Sequence, residues 1–297
     1  LALALGTGNM GFLSEGGTGS GMAGRNMAGG DSAKVFSRVT VAYTNPMKSL
    51  LFNRWTLIVL LVVLGGMISG FRSKLGEGIL ILAIGVFYWQ GLRAVFAAFI
   101  LGVLGLLGLS IFNLMFPLSA EAQRALSFLP GTWDEKYVIE GTDSTDWRVE
   151  MWQEALSSDR WIKNKMMGDG LGFSAKELQL QEAMSRGDYA MAGFGNLTAQ
   201  QVSMLINGDY HSGPVSFVRT VGYLGLAVFG VGLLAVLIAS HRLLRSVKGT
   251  PYFGIVALVC VPAVVHPFMF FFVFGTFSGS VSLFFLNIGL ICFLRNN

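Results

Sequence analysis

Four basic residues stand where polar sequence meets apolar sequence. They are Arg72 in "MISGFRSK", Arg124 in "AEAQRALSFLPG", Arg148 in "DWRVEMW" and His211 in "GDYHSGPVSF". A guanidinium group presents a planar fork of donors that fits phosphate oxygens and keeps its charge at any working pH. A neutral imidazole can accept a proton from an attacking hydroxyl near neutral pH. These residue types are therefore candidates for anion binding and for general-base catalysis.

Each of the four also has a purely structural interpretation. Arg72 can snorkel to lipid headgroups, and His211 can form hydrogen bonds at the same level. Arg124 and Arg148 can pair with neighbouring carboxylates, which is a frequent arrangement of little energetic value. The carboxylates near them in sequence are Glu121, Asp146 and Glu150. The residue types alone leave both interpretations open.

The sequence around His211 predicts a helix that begins within three residues of the imidazole. Ser212 or Gly213 is a suitable cap, and Pro214 suits a first helical turn. A histidine on rigid backbone at a helix start is well placed for catalysis.

The chain has two other histidines. His266 lies between Pro262 and Pro267, where it either satisfies backbone groups freed by the prolines or lines a cavity. His241 falls in a basic cluster and is expected to be solvated.

The composition identifies an integral membrane protein. Of the 297 residues, 53% are hydrophobic and 13% are charged, and the mean hydropathy is +0.60, so polar surface is too scarce for a soluble globule. A helix needs roughly 20 apolar residues to cross the bilayer. Six windows are predicted to do so: Trp55–Phe71, Gly78–Leu92, Ala94–Leu118, Val215–Ser240, Tyr252–Gly275 and Thr276–Leu294.

The net charge of +4 is explained by topology rather than by nucleic-acid binding. If "HRLLRSVK" after the fourth span is cytoplasmic, most basic residues near span ends share that side. They are Lys48, Arg54, Arg93, Arg242, Arg245, Lys248 and Arg295. The long polar segment between the third and fourth spans then lies outside the cytoplasm.

Four segments follow from this interpretation. Residues 1–54 are expected to form a glycine-rich flexible segment and an interfacial lead-in, and residues 55–118 the first three spans. Residues 119–214 form an extracytoplasmic loop with amphipathic helices, and residues 215–297 the last three spans. The fold class is thus an all-α membrane protein with about six transmembrane helices and one large helical loop between spans three and four.

The loop is predicted to contain two helices. In "DSTDWRVEMWQEALSSDRW" apolar residues recur at helical spacing, Asp143 to Asp146 offer N-caps, and "GDGLGF" ends the pattern. In "NLTAQQVSMLINGDYH", Leu205 and Ile206 share a face with upstream apolar residues. Both helices should lie against the membrane or roof the bundle.

In order, "SGFR", "QRALSFLPG", "DWRVEMWQEAL" with "GDGLGF", and "YHSGPVSFVRTVGYLGL" resemble the O-antigen ligase family of bacterial membrane glycosyltransferases. The resemblance covers roughly Leu51 to Leu294. Family members usually carry more spans, so an N-terminal half is expected to lie outside this chain. A His-Ser pair here replaces the commoner His-Asn pair.

The resemblance implies transfer of a glycan from an undecaprenyl-pyrophosphate carrier to an acceptor hydroxyl at the periplasmic face of the bacterial inner membrane. It implies no nucleotide sugar, no metal and no other cofactor. Arg72, Arg124 and Arg148 would bind the pyrophosphate, and His211 would act on the acceptor hydroxyl. The implied partners are the lipid-linked donor, a glycan or lipid acceptor, membrane lipids and further membrane subunits.

Three alternatives remain beside a ligase. A glycan polymerase of the same superfamily uses the same donor, and the sequence does not separate the two. A non-catalytic membrane subunit would keep the scaffold without the activity. A transporter would carry paired broken helices with ionisable groups at mid-membrane, for which His266 is the one indication. An enzyme predicts that Arg72, Arg124, Arg148 and His211 converge on one cavity.

Overall fold

A computed structural model describes residues 27–49, 54–68, 72–172, 178–179, 182, 204–208 and 210–296. Within these residues every regular element is a helix and no strand occurs, so the predicted all-α class is confirmed. The longer elements in chain order are α1 (Met27–Tyr43), α2 (Pro46–Ser49), α3 (Arg54–Ile68), α4 (Arg72–Gln90), α5 (Leu92–Met115), α6 (Ala120–Leu126), α7 (Glu135–Ser157), α8 (Gly213–Ser246), α9 (Phe253–Phe268), its π-helical continuation (Met269–Val273), and α10 (Phe277–Asn296).

Four helices in the described residues are long and apolar enough to cross a membrane: α5, α8, α9 with its continuation, and α10. They coincide with the last four predicted spans, and they confirm a membrane protein. The first two predicted spans are also helices, α3 and α4, but α3 has only 15 residues and α4 opens with "RSKLGE". The count of six spans stays a prediction.

The described residues fall into two compact units. Unit 1 takes them from 1–143, 238–265 and 290–297, and unit 2 takes them from 144–237 and 266–289. Each unit has its own apolar core, and each holds two of the four basic residues singled out above.

In unit 1, α1 packs along both α3 and α4. It runs parallel to α4, because Asp31 near its start pairs with Lys74 and the Val41 carbonyl near its end accepts a hydrogen bond from the Trp89 indole at 3.0 Å. The interfacial lead-in expected from the sequence did not include this lateral packing. The sequence signal for this packing was weak, because α1 has small buried residues and charged residues mixed together rather than a continuous apolar face.

The prediction that His241 is solvated holds only in part, because its side chain is half-buried. The Tyr88 hydroxyl lies 2.9 Å from His241 Nδ1, and the two rings are in contact at 5.7 Å between centroids. Nearby, the Trp89 ring meets Phe253 edge-on at 4.7 Å. The end of α4 therefore supplies an aromatic cover for the basic end of α8, which the local sequence around His241 does not reveal.

The start of α7 also differs from the prediction. The helix begins at Glu135 rather than near Asp143 to Asp146, and its first turn is capped by Asp134, whose carboxylate accepts the Lys136 backbone N–H at 3.1 Å. The Asp134 N–H in turn donates to the Gln123 side chain at 3.2 Å. An aspartate cap can satisfy the free N–H groups of a helix start at Asp134 or at Asp143 to Asp146. The contact with Gln123 favours Asp134.

Unit 2 has two apolar clusters. One joins α7 residues Met151 and Ala155 to Leu205 and Ile206 and to the first turns of α8, so the described part of the second predicted apolar face does meet α7. Residues 196–203 of that predicted helix lie outside the described residues. The other joins Phe217, Leu233 and Phe270, with further aromatic rings around them. His266 lies buried in α9 just before Pro267, and both interpretations of it stay predictions.

Candidate active site

Arg72 and Arg124 lie together in unit 1, but the contact runs through the main chain. Arg72 is the first residue of α4, so it opens a helix rather than closing the first span. Its Nε–H donates to the Arg124 carbonyl at 3.2 Å, and its Nη2 donates to the Ser127 hydroxyl at 2.6 Å. The guanidinium carbon also lies 5.8 Å from the centre of the Phe128 ring.

These acceptors belong to the carboxyl end of α6, where carbonyl groups lack partners within the helix. A cation at that end is favoured by the helix dipole as well. Ser119 caps the other end of α6 through the Ala122 N–H. Arg72 therefore fixes the short helix that carries Arg124. The interpretation of Arg72 as an arginine that only snorkels to lipid headgroups does not include this contact.

Arg148 lies on α7 in unit 2 and is in a different state. Its Nε–H is buried and finds no acceptor among the described residues, and the indole N–H of Trp147 beside it is in the same condition. Burial lowers the pKa of the Arg148 guanidinium, because the charged form loses hydration. An uncompensated buried donor costs about 1–3 kcal/mol, more when it is charged. Among the described residues, no ion pair joins Arg148 to Asp146 or Glu150.

A hydrogen bond connects the Arg148 face of α7 to the His211 segment. Trp152 lies one helical turn after Arg148 on the same face, and its indole N–H donates to the Tyr210 carbonyl at 2.7 Å. Tyr210 itself is fully buried in the unit 2 core. The residue that follows it is His211, so α7 holds the backbone on which the imidazole is mounted.

The backbone of His211 is strained. Its φ is +50°, and it is the one residue other than glycine with a positive φ in the described part of the chain. This left-handed conformation is uncommon for residues with a side chain and costs of order 1 kcal/mol or more. Such strain persists where the surrounding structure imposes it, and it is concentrated at functional sites.

Contacts on both sides of His211 fix its left-handed backbone conformation. Ser212 caps α8, with its hydroxyl 3.5 Å from the Val215 N–H, so the prediction of a helix start within three residues of the histidine is confirmed. The imidazole faces the Phe274 ring at 5.3 Å between centroids. At Gly213 an added Cβ would lie 2.3 Å from the Phe270 ring, so only glycine fits there. The start of α8 is thus fixed from both sides.

A break in α8 lies two to three turns beyond His211. Gly222 has φ +71° inside the helix, which frees backbone groups on both sides of it. The Arg219 and Thr220 carbonyls accept hydrogen bonds from the Asp169 and Gly170 N–H groups at 2.8 and 3.0 Å. These two donors come from the "GDGLGF" segment.

The N–H groups freed by the same break are satisfied as well. Tyr223 and Leu224 donate to the Lys165 and Met166 carbonyls at 2.8 and 3.2 Å. Loop 163–170 therefore replaces the hydrogen bonds that the helix loses, as a break within an apolar helix requires. The loop and the break form one rigid feature.

Asp169 and Arg219 secure this feature. The Asp169 carboxylate accepts the N–H groups of Lys163 and Asn164 at 2.9 Å each, and it forms an ion pair with Arg219 at 3.5 Å. Arg219 is only 5% exposed. A charged residue inside an apolar run is a signal of function, so Arg219 could have been singled out from the sequence, whereas its carboxylate partner could not.

The structure thus brings the four basic residues together in pairs. Arg72 holds the backbone of Arg124 in unit 1, and α7 joins Arg148 to the His211 segment in unit 2. Sequence reasoning missed Ser127, Trp152 and the Asp169–Arg219 pair. Convergence of all four on one cavity stays a prediction.

Comparisons of the chain with protein-family models, with curated proteins and with solved structures found no match. The functional argument consequently rests on the residues and their geometry.

Proposed function

We propose that the chain is a membrane glycosyltransferase of the O-antigen ligase type. It moves a glycan from an undecaprenyl-pyrophosphate carrier to an acceptor hydroxyl at the periplasmic face of the bacterial inner membrane. The observation that carries the proposal is the arrangement in unit 2. A half-buried arginine, whose buried Nε–H has no acceptor among the described residues, is joined through Trp152 and Tyr210 to a strained histidine at a helix start.

In the proposed step the His211 imidazole accepts the proton of the acceptor hydroxyl. The hydroxyl oxygen bonds to the anomeric carbon of the glycan as the bond from that carbon to the pyrophosphate oxygen breaks. The electron pair leaves with the pyrophosphate. A histidine suits this role because it can take up a proton near neutral pH.

Arg148 binds the pyrophosphate in this proposal. Negative charge grows on the leaving oxygen during the transfer, and a preorganised donor in a water-poor site stabilises it more than water does. The unused Nε–H of Arg148 meets that requirement, since it has no acceptor among the described residues. The resemblance assigns Arg72 and Arg124 to the same pyrophosphate, and that assignment stays a prediction.

The four apolar helices support the proposed orientation. If α5, α8, α9 and α10 alternate across the membrane, the start of α5 and the ends of α8 and α10 lie on one side. The basic residues at those ends are Arg93, Arg242, Arg245 and Arg295. The positive-inside rule makes that side cytoplasmic, so the segment from 116 to 212 faces the periplasm.

The test is transfer in cells that lack the native gene. His211→Ala is compared with wild type at matched membrane levels, and His241→Ala serves as the control because it removes a histidine outside the proposed site. We expect His211→Ala to abolish transfer and to accumulate lipid-linked donor, and His241→Ala to retain transfer. Unchanged transfer by His211→Ala contradicts the proposal.

The products of the same experiment separate the alternatives. Loss of a ligase leaves full-length glycan on the carrier lipid. Loss of a polymerase leaves single repeat units. A non-catalytic subunit predicts that transfer tolerates His211→Ala as long as the chain is present in the membrane.

A further inference from the structure

A second group of charged side chains lies between α1 and α4 in unit 1. Asp31, Lys34 and Arg38 occur at positions i, i+3 and i+7 of α1, which places them on one helical face. Lys74 and Glu77 occur at i and i+3 of α4. The parallel packing of the two helices brings these faces together.

Both carboxylates of this cluster are already paired. Lys34 Nζ lies 2.5 Å from Glu77 Oε2, and Lys74 Nζ lies 2.9 Å from Asp31 Oδ1. The Glu77 side chain is only 15% exposed, so its pair lies well away from bulk water. Glu77 also attracts the Arg38 guanidinium electrostatically, so this one carboxylate serves two cations.

Arg38 is the third cation of the cluster. Its Nε–H is buried without an acceptor among the described residues. The hydroxyls on either side of it, Ser37 and Thr40, donate to carbonyls of their own helix, at 2.8 Å each. Among the described residues, three cations therefore face two carboxylates, which leaves one excess positive charge in the cluster. A half-buried guanidinium that shares its counter-charge with a lysine is costly, and an ionisable residue of this kind in a membrane protein is a candidate for function.

We propose that Arg38, flanked by Lys34 and Lys74, binds a phosphate group. The guanidinium fork matches two phosphate oxygens, and the lysines add point charges beside it. Because the cluster has a single unbalanced positive charge, it suits a singly charged phosphate. A phospholipid headgroup or a free phosphate ion carries this group.

The neighbouring helix favours the lipid as the source. On α3, which also packs against α1, four leucines are largely exposed: Leu57, Leu60, Leu61 and Leu64. In a bilayer they offer a surface for acyl chains beside the charged cluster. The site uses none of the residues of the proposed transferase reaction, so it stands or falls independently of that function.

Binding to the purified full chain in detergent micelles tests the proposal. The probes are inorganic phosphate, dioleoylphosphatidylglycerol, and dioleoylglycerol, which has acyl chains but no phosphate. Native mass spectrometry detects retained adducts, and the thermal unfolding midpoint reports binding independently. Arg38→Gln is compared with Arg93→Gln, which removes a cation from an exposed position of the same unit.

We expect wild type and Arg93→Gln to bind phosphatidylglycerol and to be stabilised by it. Arg38→Gln should bind at least about tenfold more weakly, because a charge-assisted bidentate contact is lost. Arg38→Lys, which keeps the charge without the fork, should fall between them. If inorganic phosphate binds as well, the phosphate group alone is recognised. If only phosphatidylglycerol binds, the site is specific for a lipid.

Two results would overturn the proposal. One is equal binding of phosphatidylglycerol by Arg38→Gln and Arg93→Gln. The other is a wild-type protein that binds dioleoylglycerol as well as phosphatidylglycerol and is not stabilised by inorganic phosphate. The second comparison needs no variant, so it holds even if Arg38→Gln fails to fold.

Discussion

Arg72 in unit 1 and Arg148 in unit 2 are both arginines, but their donors are in opposite states. Arg72 places two N–H groups on oxygens at one end of α6. Arg148 keeps its Nε–H buried with no acceptor among the described residues. The first arginine stabilises the fold, whereas the second costs stability. The satisfied donors of Arg72 indicate a structural role, and the buried Nε–H of Arg148 is the donor that we assign to a ligand.

Unit 2 also contains the break in α8 at Gly222, and a substitution there should have the largest effect. A Cβ on Gly222 would lie 2.1 Å from the Met166 carbonyl, at a φ of +71°. We expect Gly222→Ala to lower the free energy of unfolding by about 3 kcal/mol or more, since strain and clash add. Thermal unfolding in micelles measures this.

Gly289→Ala is the matched control. Nothing lies within 4 Å of a Cβ at that position, so the substitution should leave stability nearly unchanged or raise it slightly. Equal effects of the two substitutions would show that the break is not rigid.

Removal of the Asp169 carboxylate should have the next largest effect. Asp169→Ala deprives buried Arg219 of its ion pair and loop 163–170 of two hydrogen bonds, at a cost of about 3–5 kcal/mol if the pair behaves as a buried one. Asp159→Ala removes a carboxylate that is 83% exposed and should cost less than about 1 kcal/mol. Chemical denaturation compares them, and similar losses would mean that the Asp169 pair is not structural.

The two arginines themselves give a smaller and more direct contrast. Arg72→Gln should destabilise the protein by about 1–3 kcal/mol, because α6 loses its cap at the carboxyl end. Arg148→Gln should change stability by less than about 0.5 kcal/mol or raise it, since an uncompensated donor disappears. Thermal unfolding of both variants tests the contrast, and the reverse order of stabilities would refute it.

Relief of the strain at His211 should have the smallest effect. His211→Gly adopts φ +50° freely, so it should be more stable than His211→Ala by about 1 kcal/mol. The comparison between these two variants isolates the backbone from the lost imidazole. Identical unfolding midpoints would mean that the conformation at His211 is not strained.

The helices of this protein were largely predictable and their partners were not. Long apolar runs located α5, α8, α9 and α10, and Ser212 with Pro214 located the start of α8, because these signals are local. The start of α7 was misplaced, because its position depends on Gln123, a contact between separate segments. The break in α8 and the loop that satisfies its backbone groups were not predicted either, because their hydrogen bonds also join segments that are distant in the sequence. Asp169 and Gly222 are 53 positions apart in the sequence.

The candidate site shows the same limit. By residue type, Arg72 and Arg148 were equally good candidates for binding phosphate. Only the structure shows that Arg72 donates to the end of α6, while Arg148 retains a buried donor. Sequence also placed His241 in solvent, because its partner Tyr88 lies on a different helix. The chemistry of a side chain can be read from the sequence, whereas the satisfaction of its donors depends on the fold.

The most direct test of the central claim is glycan transfer by Arg148→Gln in cells at matched membrane levels, measured together with its unfolding midpoint. The account predicts that transfer falls at least about a hundredfold, as when a preorganised donor to a leaving group is removed, while the midpoint falls by no more than about 2 °C from wild type. Undiminished transfer, or a loss that merely follows a fall in the midpoint, would contradict it.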